Sequence, residues 1–166
     1  KRLGRLRMHL RLQMAGMCTL PMDKHGNLVL CPMPVVGAPL LGRADKLVLP
    51  GVGAFDAAMT ALNSRGITEA LLRSADHGTP ILGICLGMQL LFGTSEEGVE
   101  AGLNLVQGAV RRLPETTASG RVRIPHMGWA RLDRLNRHPL TEGIDEDSRF
   151  YFVHSLAAVP ENEQDV

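Results

Sequence analysis

The chain has 166 residues, of which 45% are hydrophobic and 21% charged, and its formal net charge is +1. This length and balance are typical of one globular domain with a buried core. No window approaches the roughly 18 to 20 uninterrupted apolar residues of a membrane-spanning helix, and the N-terminus lacks the order of a secretory signal. We therefore expect a soluble, cytoplasmic protein with no membrane partner.

The first part of the chain differs from the rest in charge. Residues 1–44 carry seven Lys or Arg and one acid, whereas the remainder carries eleven basic and sixteen acidic side chains. Basic leaders occur in nucleic-acid-binding arms and transit segments, but "KRLGRLRMHLRLQ" has no aromatic residue to stack on bases and little serine. We expect residues 1–43 to be an atypical leader, disordered or not native domain sequence, and we expect no nucleic-acid partner.

From residue 44 onward, short apolar runs alternate with amphipathic stretches. "KLVLPG" at 46–51 predicts a short buried strand ended by its proline and glycine. The next segment predicts a helix that ends or bends at Gly66. The apolar side of that helix has the spacing i, i+3, i+4 and i+7, at Phe55, Ala58, Met59 and Leu62.

The following segments continue the alternation. "ITEALLRSADHG" predicts a second helix closed by Gly78 and Pro80, "PILGI" at 80–84 a second buried strand, and "LGMQLLF" at 86–92 a third helix. This order predicts an α/β fold, with an open parallel sheet and helices on both faces. After Gly93, "LVQGAVRRL", "RVRIPHMGWARLDRL" and "SRFYFVHSLAAV" predict strands that are partly antiparallel.

Cys85 lies at the predicted junction of strand and helix, in "ILGICLGMQLLF". Ligands of open parallel sheets bind at such carboxyl ends, and Gly83 and Gly87 would let the backbone take a sharp, strained turn that exposes the sulfur. The dipole of the new helix favours the thiolate, and the amide after the cysteine can donate to an oxyanion. We therefore predict a nucleophile. Cys18 and Cys31 have no such frame and are interpreted as small apolar residues.

A glycine-rich turn, "LPGVGAF" at 49–55, follows the neighbouring strand. Such a turn can aim backbone N–H groups at the carbonyl oxygen of a substrate attached to Cys85, as in an oxyanion hole. Taken alone the pattern is weak, because many strand-to-helix turns contain glycine for conformational reasons. No group of His, Cys, Asp or Glu has the spacing of metal ligands, so we expect no metal. The sequence contains neither of the glycine motifs that bind nucleotides, G-x-x-x-x-G-K-[ST] and G-x-G-x-x-G, so we expect no cofactor.

Five segments occur in the order and near the spacing found in class I (triad) glutamine amidotransferases: "KLVLPGVGAF", "PILGICLGMQLLF", "SEEG", "PHMGW" and "FYFVHS". The sequence resembles that family over residues 44–166, and within it "PHMGW" followed by "YFVHS" is most similar to the glutaminase subunits of imidazole glycerol phosphate synthase. The resemblance implies a flavodoxin-like fold and a glutaminase in histidine biosynthesis. It also implies a heterodimer with a (β/α)₈ cyclase subunit that receives the ammonia.

The resemblance implies roles for individual residues. Cys85 would attack the side-chain amide of glutamine, form a γ-glutamyl thioester and release ammonia, after which water frees glutamate. The implied oxyanion and substrate-binding residues are Gly51, Val52, Gly53, Leu86, Gln89, His154, Ser155 and Leu156. The implied partner interface consists of His126, Met127, Gly128 and Trp129.

The sequence departs from the family pattern. The family's general base and orienting acid, a His and a Glu two residues apart, follow "YFVHS" at a distance that Val166 does not reach. We therefore expect 44–166 to be a domain without its C-terminal part, with an incomplete sheet and impaired proton transfer. His154 and His138 are poor substitutes, since one lies in a strand pattern and the other precedes a proline. Ala130 stands where the family commonly has Asn.

Three hypotheses remain open at this point. The first is the glutaminase. The second is another α/β cysteine hydrolase, or a chaperone-like protein, with the same sharp turn at its cysteine. This hypothesis would leave "PHMGW" unexplained. The third is a catalytically inactive fragment that keeps only a partner-binding surface. Trp129 and the "FYF" run are at least as consistent with core packing as with aromatic binding.

Overall fold

The computed structural model describes residues 41–118, 120–132 and 140–162. The predicted leader, apart from its last three residues, lies outside these ranges, as do Cys18, Cys31 and His138. The described helices are α1 (Phe55–Ser64), α2 (Ile67–Asp76) and α3 (Leu86–Gln89). The described strands are β1 (Leu47–Gly51), β2 (Ile81–Cys85), β3 (Phe92–Ser95), β4 (Val106–Arg112), β5 (Thr116–Thr117), β6 (Gly120–Arg121), β7 (His126–Arg131), β8 (Arg149–His154) and β9 (Leu156–Pro160). Of the helices in these ranges, none has the length and apolar character needed to cross a membrane.

β1 and β2 form a parallel pair, and α1 and α2 connect them. The register runs from Leu47 opposite Ile81 to Gly51 opposite Cys85. This arrangement confirms the predicted strand, helix, helix, strand unit. Since adjacent strands lie about 4.8 Å apart, the two strands end side by side, and their last residues are neighbours.

The core lies between this parallel pair and the helices. Phe55 is 0% exposed and Met59 1%, and Ala58 and Leu62 pack partly buried against the same cluster. The helical face predicted from the spacing is therefore confirmed. The buried hydrophobic residues of this cluster are Leu47, Phe55, Met59, Ile67, Leu71, Ile81, Leu86, Leu90, Leu91 and Leu103. Burial of each large side chain contributes about 1.5–3 kcal/mol.

α2 ends as its sequence predicts. Gly78 adopts a left-handed conformation, with φ 80°, and its N–H donates to the carbonyl oxygen of Ala75 at 2.8 Å. The N–H of Thr79 donates to the carbonyl oxygen of Ser74 at 2.9 Å. These two bonds close the last turn and satisfy carbonyl groups that the helix itself leaves free.

The third predicted helix is wrong in length. A helix was expected over 86–92, but α3 ends at Gln89 after one turn, and β3 begins three residues later at Phe92. The carbonyl oxygens of Leu90 and Leu91 accept hydrogen bonds of 2.8–3.1 Å from the N–H groups of residues in 103–106. Because 86–92 is almost continuously apolar, its sequence could not distinguish a buried helix from a buried turn and strand.

The described strands pair in four groups. β1 pairs with β2, β3 with β4 and β4 with β9, and there are two further pairs, β5 with β6 and β7 with β8. β1–β2 and β3–β4 are parallel, and the other pairings are antiparallel. The α/β class and the partly antiparallel C-terminal region are confirmed, and the described strands form no closed barrel.

α3 lies so close to β1 and β2 that two positions exclude a side chain. A Cβ atom added at Gly87 would overlap the carbonyl oxygen of Leu49, and one added at Gly83 would overlap the backbone of Met88. These obstacles are main-chain atoms, which cannot rotate away as the end of a side chain can. Both positions therefore require glycine, because any Cβ atom there would overlap the neighbouring main chain.

We expect Gly87→Ala to lower the free energy of unfolding by at least about 3 kcal/mol, since overpacking against backbone costs more than overpacking among side chains. Equilibrium urea denaturation measures this. Gly42→Ala is the matched control, because a Cβ at Gly42 would meet nothing within 4 Å. Equal midpoints for the two variants would contradict the close packing of α3 on β1.

Candidate active site

Cys85 is the last residue of β2, and its backbone has φ 56° and ψ −121°. Its side chain is exposed. A non-glycine residue in this region is strained by about 1–3 kcal/mol, and such strain is typical of a nucleophile held on a sharp turn between strand and helix. The exposed side chain and the strained backbone of Cys85 agree with the predicted nucleophile.

The flanking glycines allow the sharp turn without steric conflict, as predicted, because a Cβ atom at either position would overlap backbone atoms. Neither Gly83 nor Gly87 is among the residues with positive φ, so neither takes up the strain of the turn. The strained residue is Cys85 itself. The glycines instead allow the backbone of α3 to approach β1 and β2, and this approach forces the chain to reverse at the cysteine.

The helix after Cys85 is also shorter than predicted. A helix of four residues has a smaller macrodipole than the predicted seven-residue helix. The N–H groups of the first turn of α3 directly follow Cys85 in the chain. Leu86 and Gln89 begin and end this turn, and they are 3% and 8% exposed.

The glycine-rich turn lies beside the cysteine. Gly51 is the register partner of Cys85, and a Cβ at Gly51 would lie 3.0 Å from the backbone nitrogen of Gly87. After it, Val52 is 91% exposed and Gly53 has φ 107°, a left-handed value that favours glycine. The structure therefore brings the predicted oxyanion turn and the predicted nucleophile together.

The predicted substrate loop joins β8 to β9. The carbonyl oxygen of Ser155 accepts a hydrogen bond from the N–H of Leu113 at 2.9 Å, and Leu156 pairs with Arg112 in the β4–β9 ladder. β9 approaches α3 to within 8 Å between Cα atoms. The loop is thus fixed to the sheet next to the turn that follows the nucleophile.

The three histidines among the described residues have other partners. His126 Nδ1 and His154 Nε2 lie 3.1 Å apart, and His154 Nδ1 lies 2.8 Å from the carbonyl oxygen of Leu156. Because that carbonyl can only accept, His154 donates from Nδ1. His77 donates from Nδ1 to the carbonyl oxygen of Arg73 at 2.6 Å. The described part of the chain therefore supplies no histidine hydrogen-bonded to Cys85.

The four residues of the predicted partner interface alternate between the two faces of β7. Met127 and Trp129 are 60% and 65% exposed, whereas His126 and Gly128 alternate with them and are less exposed. Across β8, Val153 lies opposite Met127 and Tyr151 opposite Trp129, and both are 53% exposed. We call these four exposed side chains the apolar face. By sequence, Trp129 and the "FYF" run, which contains Tyr151, are consistent with either core packing or aromatic binding, and the exposure of Trp129 and Tyr151 excludes core packing for these two. Val153 was missed, although the alternation of "FYFVHS" carried the signal.

The "SEEG" segment, to which the sequence analysis assigned no structural role, connects β3 to β4. The Glu96 carboxylate accepts a hydrogen bond from the N–H of Arg112 at 2.7 Å and one from the guanidinium of Arg111 at 3.0 Å. The backbone bond from Arg112, and next the bond from Arg111, lower the pKa of Glu96 below its ordinary value. The charged carboxylate therefore ties the end of β3 to β4 at neutral pH.

Residues 39–166 match the family model for class I glutamine amidotransferases. The chain belongs to this family. Three curated relatives are subunits of imidazole glycerol phosphate synthase named HisH or HisH 2. The protein of Prochlorococcus marinus is 51% identical over 76% of this chain, that of Syntrophotalea carbinolica 48% over 74%, and that of Sulfurimonas denitrificans 50% over 73%. The matched part covers 58%, 61% and 58% of those proteins, so this amidotransferase spans about three fifths of their length.

We expect Cys85→Gly to be more stable than Cys85→Ala by about 1 kcal/mol, since glycine adopts positive φ without strain and alanine does not. Urea denaturation of both variants measures the difference. The control is Ala57→Gly on the exposed side of α1, where glycine should instead cost about 1 kcal/mol. If the chain with glycine were less stable than the chain with alanine at position 85 as well as at position 57, Cys85 would not be the strained residue of the turn between β2 and α3.

Proposed function

We propose that this amidotransferase is the glutaminase subunit of an imidazole glycerol phosphate synthase, acting in the cytoplasm in histidine biosynthesis. The observation that carries the proposal is the juxtaposition of the exposed, strained Cys85 with the glycine-rich turn that begins at Gly51. A nucleophile beside backbone N–H donors is what acyl transfer requires. The match to the family of class I glutamine amidotransferases supports glutamine as the acyl donor.

The proposed reaction has two steps. The Cys85 sulfur, as thiolate, attacks the side-chain carbonyl carbon of glutamine; a sulfur–carbon bond forms, the carbon–nitrogen bond breaks, and the nitrogen leaves as ammonia after gaining a proton. Water then attacks the γ-glutamyl thioester, releasing glutamate and the thiolate. In both steps negative charge develops on the carbonyl oxygen, where the N–H groups of the Val52–Gly53 turn and of Leu86 are proposed to donate.

The substrate's other end would be held by two further elements. Gln89, at the end of α3, is proposed to contact glutamine, and the backbone of residues 154–156 is proposed to bind its amino-acid group. The approach of β9 to α3 supports this arrangement. An imidazole is proposed to take the thiol proton as a base and to return it, as imidazolium, to the leaving nitrogen. The described histidines are hydrogen-bonded elsewhere and are not proposed for this role.

The partner is proposed to be the cyclase subunit, which would use the ammonia to convert a phosphoribosyl-formimino aminoimidazole intermediate to imidazole glycerol phosphate. The apolar face supports this part of the proposal. Trp129 and Tyr151 make an edge-to-face pair with centroids 5.5 Å apart, and both remain more than half exposed. Exposed aromatic residues are typical of interface centres, so the apolar face is the proposed docking surface. His126 and Gly128, which alternate with Met127 and Trp129 along β7, are proposed to support it from the other face of the strand.

Labelling of Cys85 tests the glutaminase proposal. We expect diazo-oxonorleucine, a glutamine analogue with an electrophilic carbon, to label Cys85 stoichiometrically, with Cys85→Ser as the unlabelled control and mass spectrometry as the measurement. Glutamine at ten times its Kd should slow labelling about 10-fold. Absence of labelling would favour an inactive fragment. Labelling without protection by glutamine would favour another cysteine hydrolase.

Binding of a cyclase subunit tests the docking surface. We expect Trp129→Ala to weaken binding of the cyclase subunit from one of the relatives' synthases by about 30-fold, the effect of a central aromatic residue. Isothermal titration calorimetry measures the affinity. Val99→Ala, which also truncates an exposed apolar side chain, is the control and should leave the affinity unchanged. Equal affinities for the two variants would contradict docking at the apolar face.

A further inference from the structure

The helix that follows the oxyanion turn is capped from a distant part of the chain. The residue before α1 is Ala54, which makes no side-chain cap bond. Instead the N–H of Phe55 donates to the carboxylate of Glu97 at 2.7 Å, across 42 positions of sequence. The Phe55 ring is fully buried in the core, so this residue is fixed both by its ring and by its backbone nitrogen.

A second set of bonds has donor and acceptor exchanged: the helix supplies the carboxylate, and the distant segment supplies the N–H groups. Asp56, in the first turn of α1, accepts hydrogen bonds from the N–H of Val99 at 3.1 Å and from the N–H of Glu100 at 3.0 Å. Gly98 lies against the same carboxylate, since a Cβ there would overlap its oxygen. We call residues 55–56 and 97–100, joined by these three bonds, the carboxylate brace. Hydrogen bonds to ionised carboxylates are stronger than neutral ones.

The far side of the brace is held by the sheet. The N–H of Glu96 donates to the carbonyl oxygen of Val110 at 2.9 Å, and the N–H of Glu97 donates to Ser95 Oγ at 3.1 Å. The N–H of Gly102 donates to the carbonyl oxygen of Gly93 at 3.0 Å. The segment 97–100 thus spans a short distance between fixed points on the β3–β4 sheet, and the brace connects that sheet to the start of α1.

This connection restricts the oxyanion turn. Residues 52–54 run from Gly51, which is fixed opposite Cys85, to Phe55, which Glu97 holds. Val52 and Ala54 are exposed, so the turn has little packing of its own to determine its conformation. Donor groups must lie within a few tenths of an ångström of their working positions, and a turn anchored at both ends meets that requirement better than one anchored at one end.

We infer that Glu97 and Asp56 are positioning residues, which act through the carboxylate brace to hold the 51–54 turn facing Cys85. The inference rests on the proposed glutaminase function, because it concerns the oxyanion donors of that reaction. The two glutamates of the "SEEG" segment then have different partners. Glu96 bonds to β4, and Glu97 bonds to the helix that follows the turn.

The experiment compares Glu97→Ala, Asp56→Ala and Glu97→Gln with the native chain. Labelling of Cys85 is followed at increasing concentrations of diazo-oxonorleucine, which separates the maximal rate from the half-saturating concentration. Both alanine variants should lower the maximal rate about 10-fold, less than the roughly 100-fold or more lost when an oxyanion donor is removed outright. The half-saturating concentration should change by less than about 3-fold, since ground-state binding is retained.

Two controls separate positioning from stability. Glu97→Gln keeps an oxygen that can accept from the N–H of Phe55 and should restore the maximal rate to within about 3-fold of the native chain. Glu100→Ala removes a carboxylate from the same segment while leaving the backbone N–H that Asp56 holds, and it should label at the native rate. Iodoacetamide, which needs no oxyanion donor, should label Cys85 equally in all variants.

Native labelling rates in Glu97→Ala and Asp56→Ala would overturn the inference, as would a parallel fall in iodoacetamide labelling. If the native chain shows no saturable labelling, the glutaminase proposal fails, and the brace is then tested by hydrogen exchange. Glu97→Ala should speed exchange of the amides of residues 52–55, and Glu100→Ala should not. Unchanged exchange in Glu97→Ala would overturn the inference on its own.

Discussion

The close approach of the α3 backbone to β1 is the constraint on which the rest of the site depends. With no side chain at Gly87, the main chain of α3 contacts the carbonyl oxygen of Leu49 directly. The chain leaving β2 must therefore turn back within one residue. Cys85 is that residue, and its positive φ projects the sulfur away from the core. The same approach places Gly51 against the first turn of α3, so one packing contact sets both the nucleophile and the turn that faces it.

The strain at Cys85 is maintained by hydrophobic burial on both sides of it. Ile81 begins β2 in the core, and Leu86, Leu90 and Leu91, which follow the cysteine, are each no more than 8% exposed. Relaxing the backbone at the cysteine would withdraw these side chains, each worth about 1.5–3 kcal/mol when buried, whereas the strained conformation costs about 1–3 kcal/mol. Burial therefore outweighs strain, and an exposed reactive residue can persist at the edge of a packed core.

Local patterns predicted local structure well and long-range structure poorly. The spacing of Phe55, Ala58, Met59 and Leu62 and the capping glycine of α2 predicted those helices correctly, because the information lies within one or two turns. The end of α3 was missed because 86–92 is apolar without a period, and its bonding partners lie at 103–106. The steric role predicted for the glycines flanking Cys85 agrees with the structure, although sequence alone does not distinguish a glycine needed for space from one needed for dihedral freedom. The brace joins residues 42 to 44 positions apart, which no sequence motif links.

The two parts of the proposed oxyanion site are held by forces of different kinds. The cysteine is positioned by contact between main-chain atoms, which is steep in distance and leaves few intermediate states. The turn opposite it is anchored at its second end by carboxylate–amide hydrogen bonds, which are directional and stronger than bonds between neutral groups. Glu97 bonds to the helix that follows the turn, and its neighbour Glu96 bonds to β4. Two successive glutamates therefore connect the proposed oxyanion turn to the β3–β4 sheet, whereas the nucleophile is positioned by the packing of α3.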